Sequence, residues 1–492
     1  MNTYEKKTTS RAEAIEVNPQ MKIRVLDKRS LEKIHEATLA ILEKTGVKFP
    51  SEKTLRVFSE AGAKVDPRSQ IVKFPRDLLM KSIANAPRSF TMASRSLEDL
   101  DLHLDGTKTY YGTDGTGLTV VDLDDRTRRA STKKDVAMMA LVSDYLSSIA
   151  FYWPIVSAGD CASQVMPLHE LEASFVNTEK HVHIITCTEP ETARYAVEMA
   201  TVVTDDVIRR RPPLSLLVCA TSPLTQDKGS LEAALIFAEA GLPVAFCAMP
   251  VVGSTGPASI AGTMAMGNAE ILSALCLIQL VHPGAPVCYA LFHDMINPMT
   301  GQCWASAPNK AAFHAAVAEL GHYYNLPVMS SCGTTDAHEP DRWKTGKDNA
   351  IDALFTCLTG PELIPSLGLL EAYTVLYPEK IFFDHEIFNS VKAMTEGVRV
   401  DSETLAIDEI MAVGPGGHFL DRDYTCENIR KFWQPGIAHQ WSPHEGDFRD
   451  PQQVAVEKIR WIMRNHKPRP LDEVARRELG KIIKAAEGKL VY

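Results

Sequence analysis

Short apolar runs rich in β-branched residues recur along the chain from Phe151 onward, each followed by a stretch long enough for a crossover helix. They are Phe151–Ala158, His183–Thr188, Leu214–Thr221, Pro243–Val251, Val287–His293, Pro327–Cys332 and Leu363–Leu370. Their apolarity is continuous rather than alternating, as it is in strands covered on both faces, so they predict parallel strands of βα units. Either Lys380–Asp384 or the earlier segment around Tyr110 supplies an eighth.

Eight βα units that close on themselves occupy roughly 250 residues, and Phe151 to about His385 has that span. The pattern therefore predicts an α/β chain folded as a (β/α)8 TIM barrel. An open dinucleotide-binding sheet is the alternative, but no run leads into a G-x-G-x-x-G turn. Gly112, Gly115 and Gly117 are followed by Leu-Thr-Val-Val rather than by a helix.

The flanks differ in pattern. Residues 1–29 are polar and predict a tail. Leu31, Ile34, Ala37, Leu39, Ile41 and Leu42 fall at helical spacing, and Ser51–Ala61 repeats the pattern after a proline. Thr109–Val121, TYYGTDGTGLTVV, mixes aromatic and β-branched residues with three glycines and suits a hairpin or glycine-bent strands. Glu403–Trp433 and Gln452–Lys484 have a helical character, separated by a linker bearing Pro and Trp. The expected organisation is a helical extension and hairpin over 30–150, the barrel core over 151–400, and C-terminal helices over 401–492.

Composition narrows the class. Of 492 residues, 45% are hydrophobic and 23% charged, which excludes a disordered or fibrous protein. The net charge of -10, from 52 basic and 62 acidic residues, is spread without basic blocks, so a small ligand or a protein partner is expected rather than nucleic acid. No uncharged apolar run of about 18 residues occurs and the first residues lack an apolar leader, which predicts no membrane span and a cytoplasmic location. The ten cysteines are scattered singly, several inside apolar runs (Cys187, Cys219, Cys247, Cys288), where cysteine acts as a small hydrophobe. No heptad pattern marks an interface, while the apolar C-terminal helices are compatible with a homo-oligomer.

Barrels of this kind carry chemistry where strands end and βα loops begin. That placement selects Asp160, Glu189, Ser222, Met249, Thr255, Phe292, His293, Asp294, Cys332, Asp336, Glu371 and His385. Polar residues at strand ends serve as helix caps and loop partners about as often as they serve chemistry, and aromatics at such spacing are more often core. Acidic residues and aromatics such as Tyr110, Tyr111, Tyr289, Phe292 and Trp304 around one mouth would together suit a quaternary ammonium ligand. No C-x-x-C or H-E-x-x-H spacing is present, so Cys219, Cys247 and Cys332 read as structural and no metal is expected. A G-x-S-x-G elbow and a P-loop are also missing. Residue patterns alone leave the reaction of such a barrel open.

The segment Val251–Tyr289, VVGSTGPASIAGTMAMGNAEILSALCLIQLVHPGAPVCY, closely resembles the central signature of trimethylamine methyltransferase-like proteins, with its G-x-T-x-P, AG, NAE and QL-x-x-PG-x-P elements. Two further blocks agree, YGTDGTGLTVVDLDDRTRRASTKKDVAMMALVSDYL and GPGGHFLDRDYTCENIRKFWQP, so the likeness runs from about residue 30 to about 485. The resemblance implies a TIM barrel and methyl transfer to a corrinoid protein. Founding members of that family carry pyrrolysine and act on trimethylamine, whereas this chain resembles the branch without it, whose substrates are quaternary amines such as glycine betaine, proline betaine, carnitine or γ-butyrobetaine.

The implied cofactor is cobalamin carried by a corrinoid partner protein and not held tightly by this chain. The implied substrate is a small quaternary amine, glycine betaine first, and a betaine-binding barrel without turnover is the alternative. Strand-end placement puts Tyr111, Phe292, Asp336 and Glu371 on the cationic side of such a ligand and His293 or His385 at its carboxylate. Gly253 and Thr255, inside the matched signature, are expected in a loop facing the corrinoid, and no residue is singled out as catalytic.

Overall fold

Eight parallel strands pair in chain order in the computed structural model: β1 (Lys108–Thr113), β2 (Phe151–Tyr152), β3 (His181–Ile184), β4 (Leu214–Cys219), β5 (Val244–Ala248), β6 (Val287–Leu291), β7 (Val328–Met329) and β8 (Leu363–Leu367). β8 returns to β1, with Leu363 opposite Tyr110 and Leu367 opposite Thr113, so the sheet closes into a barrel. The structure describes residues 11–491 apart from 205–206, 333–334, 341–342, 433–435, 438–439 and 445; the first ten residues of the expected polar tail, and Trp433 at the end of an expected helical stretch, lie outside the described residues.

Before the barrel come α1 (Lys28–Lys44), α2 (Glu52–Glu60) and α3 (Arg76–Ala84). Each strand is then followed by one helix: α4 (Lys133–Tyr145), α5 (Met166–Asn177), α6 (Pro190–Val202), α7 (Lys228–Ala240), α8 (Ile260–Val281), α9 (Asn309–Tyr323), α10 (Trp343–Cys357) and α11 (Lys380–Thr395). The strand–helix alternation repeated eight times is a (β/α)8 TIM barrel. Beyond it lie three short helices, α12 (Ser402–Leu405), α13 (Ile407–Val413) and α14 (Asp423–Asn428), which bury no residue, and then α15 (Pro451–Asn465) and α16 (Glu473–Leu490).

The first βα unit, β1 with α4, precedes residue 151. Its strand overlaps the start of the glycine-bearing segment that reads as a hairpin, and the glycines explain the difference. A Cβ on Gly112 would meet the Phe151 ring at 2.2 Å, one on Gly115 the Trp153 indole at 1.7 Å, and one on Gly117 the Ile155 carbonyl at 2.8 Å. The Phe151 ring on β2, the Trp153 indole and the Ile155 carbonyl just beyond it thus lie directly against β1 and its extension, a close approach that only glycine permits. Lys380–Asp384, the other candidate for an eighth strand, instead opens α11, where Ile381 and Phe382 are buried.

Two layers of apolar residues flank the barrel wall. Inside it pack Tyr110, Phe151, Trp153, Leu217, Ala245, Cys247, Cys288, Ala290, Met329 and Leu363. Outside, the helices cover the alternate positions of the same strands. α8 is apolar and long enough to cross a membrane by length and composition, but 89% of that window is buried, and α1, α2 and α3 all pack on it. Its apolarity is that of a helix covered on every side.

Candidate functional site

The C-terminal ends of the strands enclose a cavity of about 280 Å³ lined by residues from every strand or the loop that follows it. β1 leads into Asp114 and Thr116, β2 into Trp153, β3 into Ile185, and β4 supplies Leu217. Met249 and Val251 follow β5, Phe292, His293 and Asp294 follow β6, Ser331 follows β7, and Ser366 lies on β8 with Ala372, Tyr373 and Thr374 beyond it. A larger hollow of about 610 Å³ lies among Glu13, Asp101, His103, Lys108 and Lys392, by the start of β1. Chemistry in these barrels sits at the C-terminal ends of the strands, which makes the smaller cavity the candidate site.

Because the strands follow chain order around the barrel, the cavity wall divides into two arcs. β2 to β5 contribute Trp153, Ile185, Leu217, Met249 and Val251, an apolar arc. β6, β7, β8 and β1 contribute His293, Asp294, Ser331, Ser366 and Asp114, a polar one. Phe292 stands at the junction. Asp114 uses Oδ1 to accept from Gly115 N (2.6 Å), Thr116 N (3.1 Å) and Thr116 Oγ1 (2.9 Å). Burial pushes its carboxyl above the usual range against the pull of those hydrogen bonds.

His293 stacks on Phe313 and meets the His314 ring edge-on, and neither of its ring nitrogens has a hydrogen-bond partner. Burial, reinforced by His314 and Lys310 nearby, holds it well below the usual histidine range, so it is a neutral imidazole with one N–H to give. Lys310, from the first turn of α9 and almost fully buried, donates to Asp294 Oδ1 at 2.6 Å and to Tyr373 Oη at 2.5 Å. Burial alone would lower this lysine; Tyr373 and Asp294 outweigh it and keep the ammonium charged.

Tyr373 reaches the cavity from an unusual backbone. Glu371, Ala372 and Tyr373 all have left-handed φ (50°, 52° and 72°), and Thr374 N donates to Leu370 O across the turn. Such residues are disfavoured by about 1–2 kcal/mol each, and strain of this kind collects at functional sites. Here Glu371 N and Ala372 N donate to Ala337 O and Thr335 O, and the Glu371 carboxylate pairs with Arg128 at 2.9 Å and His338 at 3.2 Å.

Of the residues selected from sequence, Met249, Phe292, His293 and Asp294 line the cavity. Tyr111 does not: strand alternation turns Tyr110 into the barrel and Tyr111 out of it, where its hydroxyl donates to Ala353 O and its ring meets Phe388 edge-on. Glu371 pins the left-handed turn. Asp336 accepts from Ala305 N, Ser306 N and Ser306 Oγ, which fixes the loop ahead of α9. His385 belongs to α11 and not to a strand end; it contacts Ser148, which precedes β2, and lies at the opposite end of the barrel. Gly253, at φ 87°, and Thr255, whose Oγ1 accepts from Val251 N, form the turn next to the lining residue Val251. Among the described residues no group of three or more His, Cys, Asp or Glu could hold a metal ion.

Asp114, Trp153, Ser331, Ser366, Lys310 and Tyr373 escape the sequence reading. Asp114 carried a signal, since it directly follows the apolar run at Tyr110 once that run is taken as a strand. The seat of Trp153 is testable through Gly115. A Cβ there would fall 1.7 Å from Trp153 Nε1, so Gly115→Ala must push the indole out of place. The expected result is a changed near-ultraviolet dichroism and tryptophan emission with about 1–3 kcal/mol lost in stability. Unchanged spectra would mean that the indole is not held there.

The same chain matches, over residues 2–489, the family of trimethylamine methyltransferases (MTTB). Trimethylamine methyltransferase MttB of Desulfitobacterium hafniense (strain DSM 10664 / DCB-2) is 31% identical over 464 residues, 93% of this chain and 92% of its own. Trimethylamine methyltransferase MttB of Methanosarcina barkeri (strain Fusaro / DSM 804) is 29% identical over 93% of this chain and 94% of its own. A glycine betaine methyltransferase of Desulfitobacterium hafniense (strain Y51) is 29% identical over 92% and 94%. With a match from one end of the barrel to the other and beyond it into both flanks, this chain belongs to the trimethylamine methyltransferase (MTTB) family.

Proposed function

We propose that this methyltransferase takes a methyl group from a small quaternary amine bearing a carboxylate, glycine betaine first, and gives it to cob(I)alamin carried by a corrinoid partner protein. The observation that carries the reading is His293, buried in the cavity with both nitrogens unpartnered, on the wall facing an apolar arc that includes Trp153. A ligand that is only a methylated amine leaves that imidazole buried and unpaired, at about 1–3 kcal/mol. A betaine gives it an acceptor, while Trp153, Phe292 and the Asp114 carboxylate receive the ammonium. The cavity, at about 280 Å³, is just below the usual range of about 300–1,000 Å³ for small-molecule sites, which favours the smallest betaine over carnitine or γ-butyrobetaine.

The chemistry asks little of the protein beyond placement. When the methyl C–N bond of a quaternary amine breaks, its electron pair stays on nitrogen and a neutral tertiary amine leaves without needing a proton. The reduced corrinoid supplies the electron pair for the new bond to the methyl carbon. The cavity's part is to fix the cation, strip its water and leave one methyl group facing the open side. That side is marked by Met249, 43% exposed at the cavity edge, and Leu118, 63% exposed just after Thr116, an apolar rim that fits a flat macrocycle. The turn of Gly253 and Thr255 stands next to it, and the partner docks there transiently.

The test mixes the protein with reduced corrinoid protein and, separately, glycine betaine, proline betaine, carnitine, γ-butyrobetaine and trimethylamine, following loss of the cob(I)alamin absorbance. Glycine betaine should convert the corrinoid with release of dimethylglycine. Conversion by trimethylamine alone would overturn the substrate. Tight betaine binding without transfer to a competent corrinoid protein would make this a binding barrel.

A further inference from the structure

We infer that the hydroxyl pair Ser331–Ser366 seats the substrate's carboxylate and sets the preference for betaines over methylated amines that lack one. The inference rests on the reading of the cavity as a quaternary-amine site. The two Oγ atoms are 2.7 Å apart, both buried, and both on the cavity wall. One proton bridges the pair, and among the described residues neither hydroxyl makes another hydrogen bond, so the second proton is left for a third group.

The backbone at Ser366 supports a ligand role over a packing one. Its φ is 105°, in the region that favours glycine, where the register between β8 and β1 slips between Ile364 and Leu367. Asp384 Oδ2 accepts from Gly368 N at 2.7 Å just after this irregularity and holds it from α11. Glycine would fit the strained position without cost. A serine kept there places a hydroxyl beside Ser331 at the price of strain, as residues at ligand sites do.

A second, independent observation lies on the same wall. β6, β7 and β8 are consecutive in the sheet, so His293, Ser331 and Ser366 form one continuous polar surface, and His293 is buried with no partner for either nitrogen. A carboxylate has two oxygens to place. One accepts from the free hydroxyl proton of the serine pair and the other from the His293 N–H, both charge-assisted bonds. Asp114, at the β1 edge of that wall, repels a carboxylate and attracts an ammonium, which orients the zwitterion along the arc.

Calorimetric titration with glycine betaine and with tetramethylammonium, the same type of cation without the carboxylate, tests the assignment. Wild-type protein should bind betaine the more tightly. Ser331→Ala should weaken betaine by about 10- to 100-fold, the loss of a hydrogen bond to a charged group, and leave tetramethylammonium unchanged. Ser366→Gly, which suits the backbone and lacks the hydroxyl, should act alike with no fall in thermal stability, so a folding defect in the first variant would not mask the result. Equal losses for both ligands, or unchanged betaine affinity, overturn the subsite. Wild-type protein that binds both ligands equally overturns it and leaves the quaternary-amine reading standing, whereas binding of neither overturns both.

Discussion

Asp114→Asn should lower kcat/KM for glycine betaine by about 100-fold, or about 2.7 kcal/mol, with the fold intact. Asparagine keeps an oxygen where Oδ1 accepts from Gly115 N, Thr116 N and Thr116 Oγ1, so the turn after β1 keeps its hydrogen bonds and only the charge is lost. A carboxylate about 4 Å from a quaternary nitrogen is worth about 4 kcal/mol at an effective dielectric near 20, and desolvation of the carboxylate takes back part of that. The remainder is the expected effect. It also gives the pH profile a sign. Burial raises Asp114 above the ordinary carboxyl range, so the ionised, cation-binding form is present at high pH and is lost as pH falls through that raised value. In wild-type protein kcat/KM should therefore decline on the acid side, and the decline should vanish in the variant. Equal activity of the two proteins at all pH values would show that the ammonium sits elsewhere.

Why Asp114 stayed hidden in the sequence while the barrel did not is a matter of which signals survive burial. Six of the seven apolar runs from Phe151 to Leu370 contain a barrel strand and the seventh, His183–Thr188, overlaps the end of β3, because a strand covered on both faces is apolar throughout and its length is bounded by the crossover that follows. The same continuity erases the distinction between inside and outside. Tyr110 and Tyr111 are equally hydrophobic neighbours, and only the closed barrel shows that the first points inward and the second toward α10. β1 was masked differently, by glycines whose purpose is to admit Phe151 and Trp153 and which read as turn residues until those rings are placed.

Strand-end placement picked out the lining residues Met249, Phe292, His293 and Asp294 because the first follows β5 and the other three follow β6. It also selected Asp336 and Glu371, which are polar strand-end residues employed in holding loops, and spacing does not separate that role from ligand binding. Lys310 carries no strand-end signal at all. It belongs to a helix and reaches the site through its long side chain, and Tyr373 reaches it through a left-handed turn that no propensity scale foresees.

Lys310→Met should destabilise the protein by about 3–5 kcal/mol, seen as a lower urea midpoint at unchanged slope. The ammonium is almost wholly buried and its two partners, Asp294 Oδ1 and Tyr373 Oη, both belong to the cavity wall. Without it Asp294, only 17% exposed, loses its ion-pair partner, and Tyr373 loses the bond from Lys310 Nζ and the cation 4.9 Å from its ring centroid. Adding Asp294→Leu removes the stranded charge, so the double variant should recover most of the stability, as replaced buried ion pairs commonly do. Turnover should not return with it, because Tyr373, at the end of three strained residues, has still lost the hydrogen bond from Lys310. A double variant that regained both stability and betaine turnover would make the pair a structural one, and an unchanged midpoint in the single variant would show that Asp294 is neutral or solvated in the folded protein.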